Sequence, residues 1–186
     1  MAYEHNVPHL HDATIDAARE ISERRAATIS RMVDEAAKHG LDDQFAYDAV
    51  ADYGTDNATA FRRTMKDPDS FAEFADSFGT DHNRGVYEME TVTRTDDELR
   101  IDFHYCPYVT AWVRQGKTPE QISRLCAIAM AGDHAFADEF PYMRFDLEGT
   151  IADGNPTCVL RFTRQQPAEQ QGGNAGSEDS EGGGRA

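Results

Sequence analysis

Three cysteines of this chain stand beside residues that can carry protons, and their spacing suggests thiol chemistry. Cys106 ends an alternating run in which His104 and Asp102 precede it at intervals of two residues. Alternate residues of a β-strand share one face and lie roughly 6.6 Å apart along it, so these side chains could act on one small ligand. An imidazole close to a thiol stabilises the thiolate, which is the nucleophilic form of cysteine. The pattern suggests a Cys106–His104 pair, with Asp102 or Asp133 orienting the imidazole.

The same alternation has a second interpretation, in which Arg100, Asp102 and His104 form the solvent-exposed face of an antiparallel strand. Such strands commonly pack one face on the core and leave the other in water. The intervening positions are apolar or aromatic: Leu99, Ile101, Phe103 and Tyr105. The alternation alone favours the solvent-exposed face, and the Cys106–His104 pair is a hypothesis.

The second cysteine, Cys126, belongs to a helical pattern and precedes Asp133 by two helical turns. This spacing puts Cys126, Met130 and Asp133 on one side of the helix, with His134 adjacent. A carboxylate in line with an apolar stripe is costly to bury without a partner, so Asp133 faces either a polar pocket or the solvent at the helix end. Packing is the alternative role for Cys126, because unpaired cysteines are among the most buried residues.

The third cysteine, Cys158, alternates with Leu160 and Phe162 on a predicted strand, which favours a small core residue. Zinc accepts mixed thiolate and imidazole ligands, so the three cysteines with a histidine are a conceivable metal set. They lack the short local spacing of known zinc sites, and an odd number of cysteines argues against a disulfide framework. We therefore predict neither a metal nor another cofactor.

The N-terminal part of the chain, from about 12 to 84, has apolar residues at helical spacing. The first helix is predicted to end near His39, because Gly40 readily takes the left-handed conformation that is common after helix C-termini. Later helices are predicted to be shorter, with breaks near Gly54 and Pro68. These helices should cover a sheet formed by the rest of the chain.

The part from 85 to 164 has the period of β-strands, with one helix inserted. Strands are predicted over 86–94, 99–106, 143–151 and 157–163. Thr118, Pro119 and Gln121 form the capping box of a helix that carries Cys126 and Asp133. The predicted fold class is therefore α+β, with a helical N-terminal half packed on a four-stranded antiparallel sheet.

Composition sets the domain organisation and excludes some partners. We predict a flexible N-terminus over 1–11, a single α+β domain over 12–164, and a disordered tail over 165–186 that is poor in apolar residues. A formal net charge of -16 would repel phosphate backbones, so nucleic acid is not an expected partner. The sequence has neither an apolar run that could cross a bilayer nor a secretion signal, so we expect no membrane association and a cytoplasmic location. A homo-oligomer is an open expectation, because amphipathic helices must bury their apolar stripe.

The sequence resembles the L-2-amino-thiazoline-4-carboxylic acid hydrolase family. The resemblance lies in Cys106-Pro107-Tyr108 after a strand, in Leu125-Cys126, in Asp133, and in Gly154, Cys158 and Phe162 at intervals of four. It implies an α+β fold and hydrolytic opening of a small nitrogen- or sulfur-containing heterocycle by cleavage of a C–N bond. The implied partner is thus a small-molecule heterocyclic substrate, with a non-catalytic binding or sensor domain as the alternative.

Combined with the residue patterns, the resemblance suggests a mechanism. Cys106, Cys126 or an activated water attacks the sp2 carbon between the ring heteroatoms, while His104 or His134 moves the proton. Arg100 could hold a substrate carboxylate, because its planar guanidinium suits a bidentate contact. Tyr108 could polarise the leaving nitrogen, and the predicted substrate-binding set also includes Asp102 and Cys158.

Overall fold

The computed structural model describes residues 3–79 and 81–165. Within them the elements follow the order of a helical half and then a sheet half, as predicted. The helices are α1 (Ala13–Lys38), α2 (Gln44–Arg62), α3 (Phe71–Ser77), α4 (Asp81–Tyr87), α5 (Pro107–Arg114) and α6 (Pro119–Asp138). The strands are β1 (Met89–Arg94), β2 (Glu98–Phe103), β3 (Met143–Gly149) and β4 (Cys158–Arg164). All neighbouring strands are antiparallel, in the order β1-β2-β4-β3. The predicted α+β fold class is confirmed.

Both ends of α1 and the start of α6 are capped, and the sequence predicted two of these three caps, at the end of α1 and the start of α6. The Asp12 side chain accepts a hydrogen bond from Thr14 N at the start of α1, and Gly40 follows the helix with φ +76°. At α6 the Thr118 hydroxyl accepts from Gln121 N, and the Gln121 side chain accepts from Thr118 N, which completes the capping box. Local sequence chemistry therefore sets both ends of α1 and the start of α6.

The predicted break at Gly54 is wrong, because α2 continues through this residue. Gly54 lies where α2 crosses α6, opposite Gly132. A Cβ atom on Gly54 would stand 2.1 Å from the carbonyl oxygen of Gly132, closer than atoms can approach. The glycine thus permits a close helix crossing. It brings α2 against the turn of α6 that carries Asp133.

The sheet packs one face on the helices, and its other face is partly exposed. Leu99 and Ile101 on β2 are 1% and 0% exposed, and Ile101 is paired with the equally buried Leu160 of β4. Arg100 and Asp102 point to the opposite face, as the alternation favoured. The core therefore lies between the sheet and the helices, and it includes Phe74 of α3 and Trp112 of α5.

Two strand boundaries, the start of β1 and the end of β2, differ from the sequence prediction by three residues each. β2 ends at Phe103, and the chain then turns into α5, a helix that the sequence analysis missed. Pro107 at the first helical position explains the change, because its fixed φ suits a helix start and its missing N–H costs nothing there. β1 begins at Met89 because the preceding residues up to Tyr87 belong to α4.

The N-terminal segment, which we predicted to be flexible, is tied to the domain by specific contacts. Glu88 accepts hydrogen bonds from the backbone N–H groups of His9 at 2.6 Å and Leu10 at 2.8 Å. Glu88 is in turn paired at 2.9 Å with Arg19, whose side chain is 4% exposed. The Tyr3 hydroxyl donates to the carbonyl of Ala152 at 3.0 Å.

Of the predicted tail over 165–186, all but residue 165 lies outside the described residues. Within the described part, none of the helices combines the length and apolar character that crossing a membrane requires.

Candidate active site

A cavity of about 660 Å³ lies between α1, α2, α6 and the inner face of the sheet. Its volume is in the range of pockets that bind small molecules. The structure brings five of the predicted site residues to its lining, from three different elements and the turn before α5: Cys106, Tyr108, Cys126, Asp133 and Cys158.

The other four predicted site residues lie outside the cavity. Arg100 and Asp102 form a bidentate ion pair with each other on the outer face of the sheet, at 2.9 and 3.1 Å. His104 Nε2 contacts Glu90 Oε2 at 2.9 Å, and His134 is exposed with its ring 5.0 Å from that of Phe145.

The hypothesis of a Cys106–His104 pair assumed that β2 continues to Cys106. Because the strand ends at Phe103, Cys106 no longer shares a face with His104. Cys106 reaches the cavity as the N-cap residue of α5 instead. Among residues 3–79 and 83–165, no histidine lines the cavity.

Cys106 lies where a helix N-terminus meets the cavity. Burial raises the pKa of its thiol to about 11. The backbone N–H groups of Val109 and Tyr108, in the first turn of α5, act in the opposite direction and favour the thiolate. Burial therefore favours the protonated thiol of Cys106, and the N-terminal backbone of α5 favours its thiolate.

The three cysteines share one end of the cavity. Burial raises the pKa of Cys126 to about 12, and a charge on Cys106 would raise it further. Burial also raises the pKa of Cys158, whose sulfur accepts a hydrogen bond from Ile151 N at 3.2 Å. All three thiols are free. In the described part of the chain, no three His, Cys, Asp or Glu side chains are arranged to hold a metal ion.

Asp133 projects into the cavity from α6. Burial raises the pKa of this carboxyl group to about 6, and the positive charge of Arg25 limits the rise. The group is therefore mostly ionised at neutral pH but can accept a proton with little cost. This is the range in which a carboxylate acts as a general base.

Residues 19–162 match the family model of L-2-amino-thiazoline-4-carboxylic acid hydrolase, over more than half of the chain. The chain belongs to this family. The resemblance noted in the sequence is thereby confirmed, and the family is one of hydrolases by name. Neither the curated proteins nor the solved structures gave a match.

In this family member, Arg25 is a cavity residue that the sequence analysis missed. Of the lining side chains that the structure describes, it alone is cationic. Its guanidinium lies 4.8 Å from the centre of the Tyr53 ring at the mouth, and its charge lowers the pKa of Tyr87, Tyr108 and Asp133 against the effect of burial. Arg25 follows Ile21 by one helical turn, so an arginine in line with an apolar stripe was the available signal.

Proposed function

We propose that this protein hydrolyses a small carboxylated heterocycle, a cyclic amidine or amide, and opens the ring by cleaving a C–N bond. One observation carries the proposal: a thiol at a helix N-terminus, a carboxyl group with a pKa of about 6 and a single cation, namely Cys106, Asp133 and Arg25, line the same cavity. A nucleophile, a base and an anion-binding group are the parts that such a hydrolysis needs.

The proposed reaction begins when Asp133 accepts a proton, directly or through a water, as Cys106 Sγ attacks the sp2 carbon of the ring. The electron pair of the C=N or C=O bond moves to its heteroatom, and collapse of the adduct breaks the C–N bond. The leaving nitrogen takes a proton, and water then displaces the cysteine sulfur, so one water is consumed in all. Direct attack by water with Asp133 as base is the simpler variant of the same chemistry.

Tyr108 and Arg25 supply the remaining interactions. Burial raises the pKa of Tyr108, so its hydroxyl stays protonated and can donate to the leaving nitrogen. Arg25 takes the carboxylate-binding role that the sequence assigned to Arg100, because Arg100 is already paired with Asp102.

The test is to incubate the purified protein with aminothiazoline, hydantoin, thiohydantoin and dihydropyrimidine carboxylates and to follow ring opening by mass spectrometry. We expect a gain of one water for at least one compound. Cys106→Ala and Asp133→Asn should each lose about 100-fold or more in rate. His104→Gln and Arg100→Gln, outside the cavity, are the matched controls and should retain the rate.

Two outcomes would contradict parts of this proposal. Full activity of Cys106→Ala would rule out thiol attack and leave water as the nucleophile. Absence of ring opening with every compound would contradict the hydrolase assignment for this member.

The second candidate function is a ligand-binding domain without turnover. It is favoured by the raised pKa of Cys106, which keeps the thiol protonated at neutral pH. Such a domain would bind a ring compound at a stoichiometry of one and release it unchanged.

A further inference from the structure

The cavity is longer than one carboxylated five-membered ring. Its lining residues on α6 run along one face from Cys126 to Phe136. Ten residues of α-helix span about 15 Å at 1.5 Å per residue. A volume of about 660 Å³ likewise suits a ligand of more than one ring.

The two ends of the cavity differ in chemistry. Cys126 and Cys158 stand close enough for charge on one to raise the pKa of the other, and Cys106 affects both. These sulfurs mark the cysteine end. From it, β4 runs to Phe162, four residues or about 13 Å beyond Cys158.

The other end is aromatic. The ring of Phe78 lies 5.9 Å from that of Phe136 on α6 and 4.9 Å from that of Phe162 on β4, measured between centroids. Phe61 from α2 lies 5.6 Å from Phe136. Both α6 and β4 therefore lead from the cysteine end to one cluster of rings. Phe61, Phe78 and Phe136 line the cavity there, and we call them the aromatic end.

We propose that the substrate carries an aryl-bearing apolar substituent that occupies the aromatic end while its heterocycle lies at the cysteine end. This inference rests on the proposed function for the identity of the reacting ring. Aromatic rings pack favourably at centroid distances of 4.5–7 Å, which another ring can adopt beside Phe78 and Phe136. The expected substrate class is thus a carboxylated cyclic amidine or amide with an arylalkyl side chain.

Two ligands that cannot be hydrolysed test the inference separately from catalysis. Both are pyrrolidine carboxylates, whose ring lacks the sp2 carbon that the nucleophile would attack. One is unsubstituted, and the other carries a phenylethyl group on the ring. Calorimetric titration of the full-length protein should give a Kd at least about ten-fold lower for the phenylethyl compound, from burial of its ring.

A matched pair of variants locates the effect. Phe136→Leu should lower the ratio of affinities for the phenylethyl and unsubstituted compounds several-fold, without weakening the binding of the unsubstituted compound. Phe71→Leu makes the same change on α3, in a buried residue outside the cavity lining whose ring packs on Phe74, and should leave the preference unchanged. Thermal unfolding checks that both variants fold.

Equal affinity for the two ligands, or no binding of either, would overturn the inference. The inference would also be overturned if Phe136→Leu changed the Kd of both ligands by the same factor. Selective binding of the phenylethyl compound without ring opening of any heterocycle would support the aromatic end and contradict the proposed hydrolysis instead.

Discussion

Asn6 and Cys106 are joined by two hydrogen bonds between the Asn6 amide and the Cys106 backbone. Asn6 Oδ1 accepts from Cys106 N at 2.8 Å, and Asn6 Nδ2 donates to the Cys106 carbonyl at 3.0 Å. Asn6 Nδ2 also lies 3.0 Å from the Thr110 hydroxyl in the next turn of α5. Asn6 precedes the segment that matches the family, yet it fixes the backbone of the cavity cysteine.

The variant Asn6→Ala should make the backbone at Cys106 more mobile, because both hydrogen bonds of the Asn6 side chain with this backbone are lost. Loss of hydrogen bonds to partly buried backbone groups should lower the free energy of unfolding by about 1–3 kcal/mol. Alkylation of Cys106 by iodoacetamide, followed by peptide mass spectrometry, should become faster because the residue moves more. His5→Ala, an adjacent exposed position, is the control and should change neither quantity. If Asn6→Ala alkylates at the wild-type rate, Asn6 does not position Cys106.

The close crossing of α2 and α6 predicts an unusual effect of Gly54→Ala. Replacing glycine by alanine inside a helix normally stabilises it by about 0.5–1 kcal/mol. Here the new Cβ would overlap the Gly132 carbonyl, so the two helices must separate. We expect a loss of about 1–3 kcal/mol or more in urea unfolding.

Asp56→Ala, an exposed site on α2, is the control for Gly54→Ala and should stay within about 0.5 kcal/mol of the wild type. Gly132→Ala provides a graded comparison. Its Cβ would lie 3.1 Å from the Val50 carbonyl oxygen, a tight contact but not an overlap, so its loss should be smaller. A Gly54→Ala protein as stable as the wild type would contradict the described crossing.

Local signals in the sequence predicted the end of α1, the capping box of α6, the β2 face and the positions of β3 and β4, because each depends on residues close together in the chain. Gly54 was misassigned because a glycine that breaks a helix and one that admits a neighbouring helix look alike until the partner is known. Cys106 was placed on a strand because the alternation continues past Phe103. Arg25 was missed because Tyr53 and Asp133, which make it a cavity residue, come from other helices.

Asp133 links stability to pH in a direction opposite to that of most surface carboxylates. Its folded-state pKa of about 6 exceeds the unfolded value, which is about 3.9. The folded protein therefore binds this proton more tightly than the unfolded chain. The stabilising contribution is fully present below about pH 4 and is lost as the pH rises to about 6, up to about 3 kcal/mol.

The variant Asp133→Asn should remove this loss, because an amide does not ionise. The free energy of unfolding, measured with urea, should therefore increase relative to the wild type when the pH is raised from 4 to 7.5. Asp138→Asn, an exposed site in the last turn of α6, should show no such change. If the free energies of unfolding of Asp133→Asn and the wild type differ by the same amount at pH 4 and pH 7.5, the carboxyl group is not desolvated.

The same ionisation should control catalysis. If Asp133 is the base, ring opening by the wild type should increase as the pH rises through about 6, and Asp133→Asn should be both more stable at pH 7.5 and inactive. A buried carboxylate lowers the stability of the fold, and an enzyme tolerates this cost where the charge acts on the substrate. A variant that gains stability and loses activity is the result expected of such a residue. If Asp133→Asn is more stable than the wild type and fully active, Asp133 is not the catalytic base.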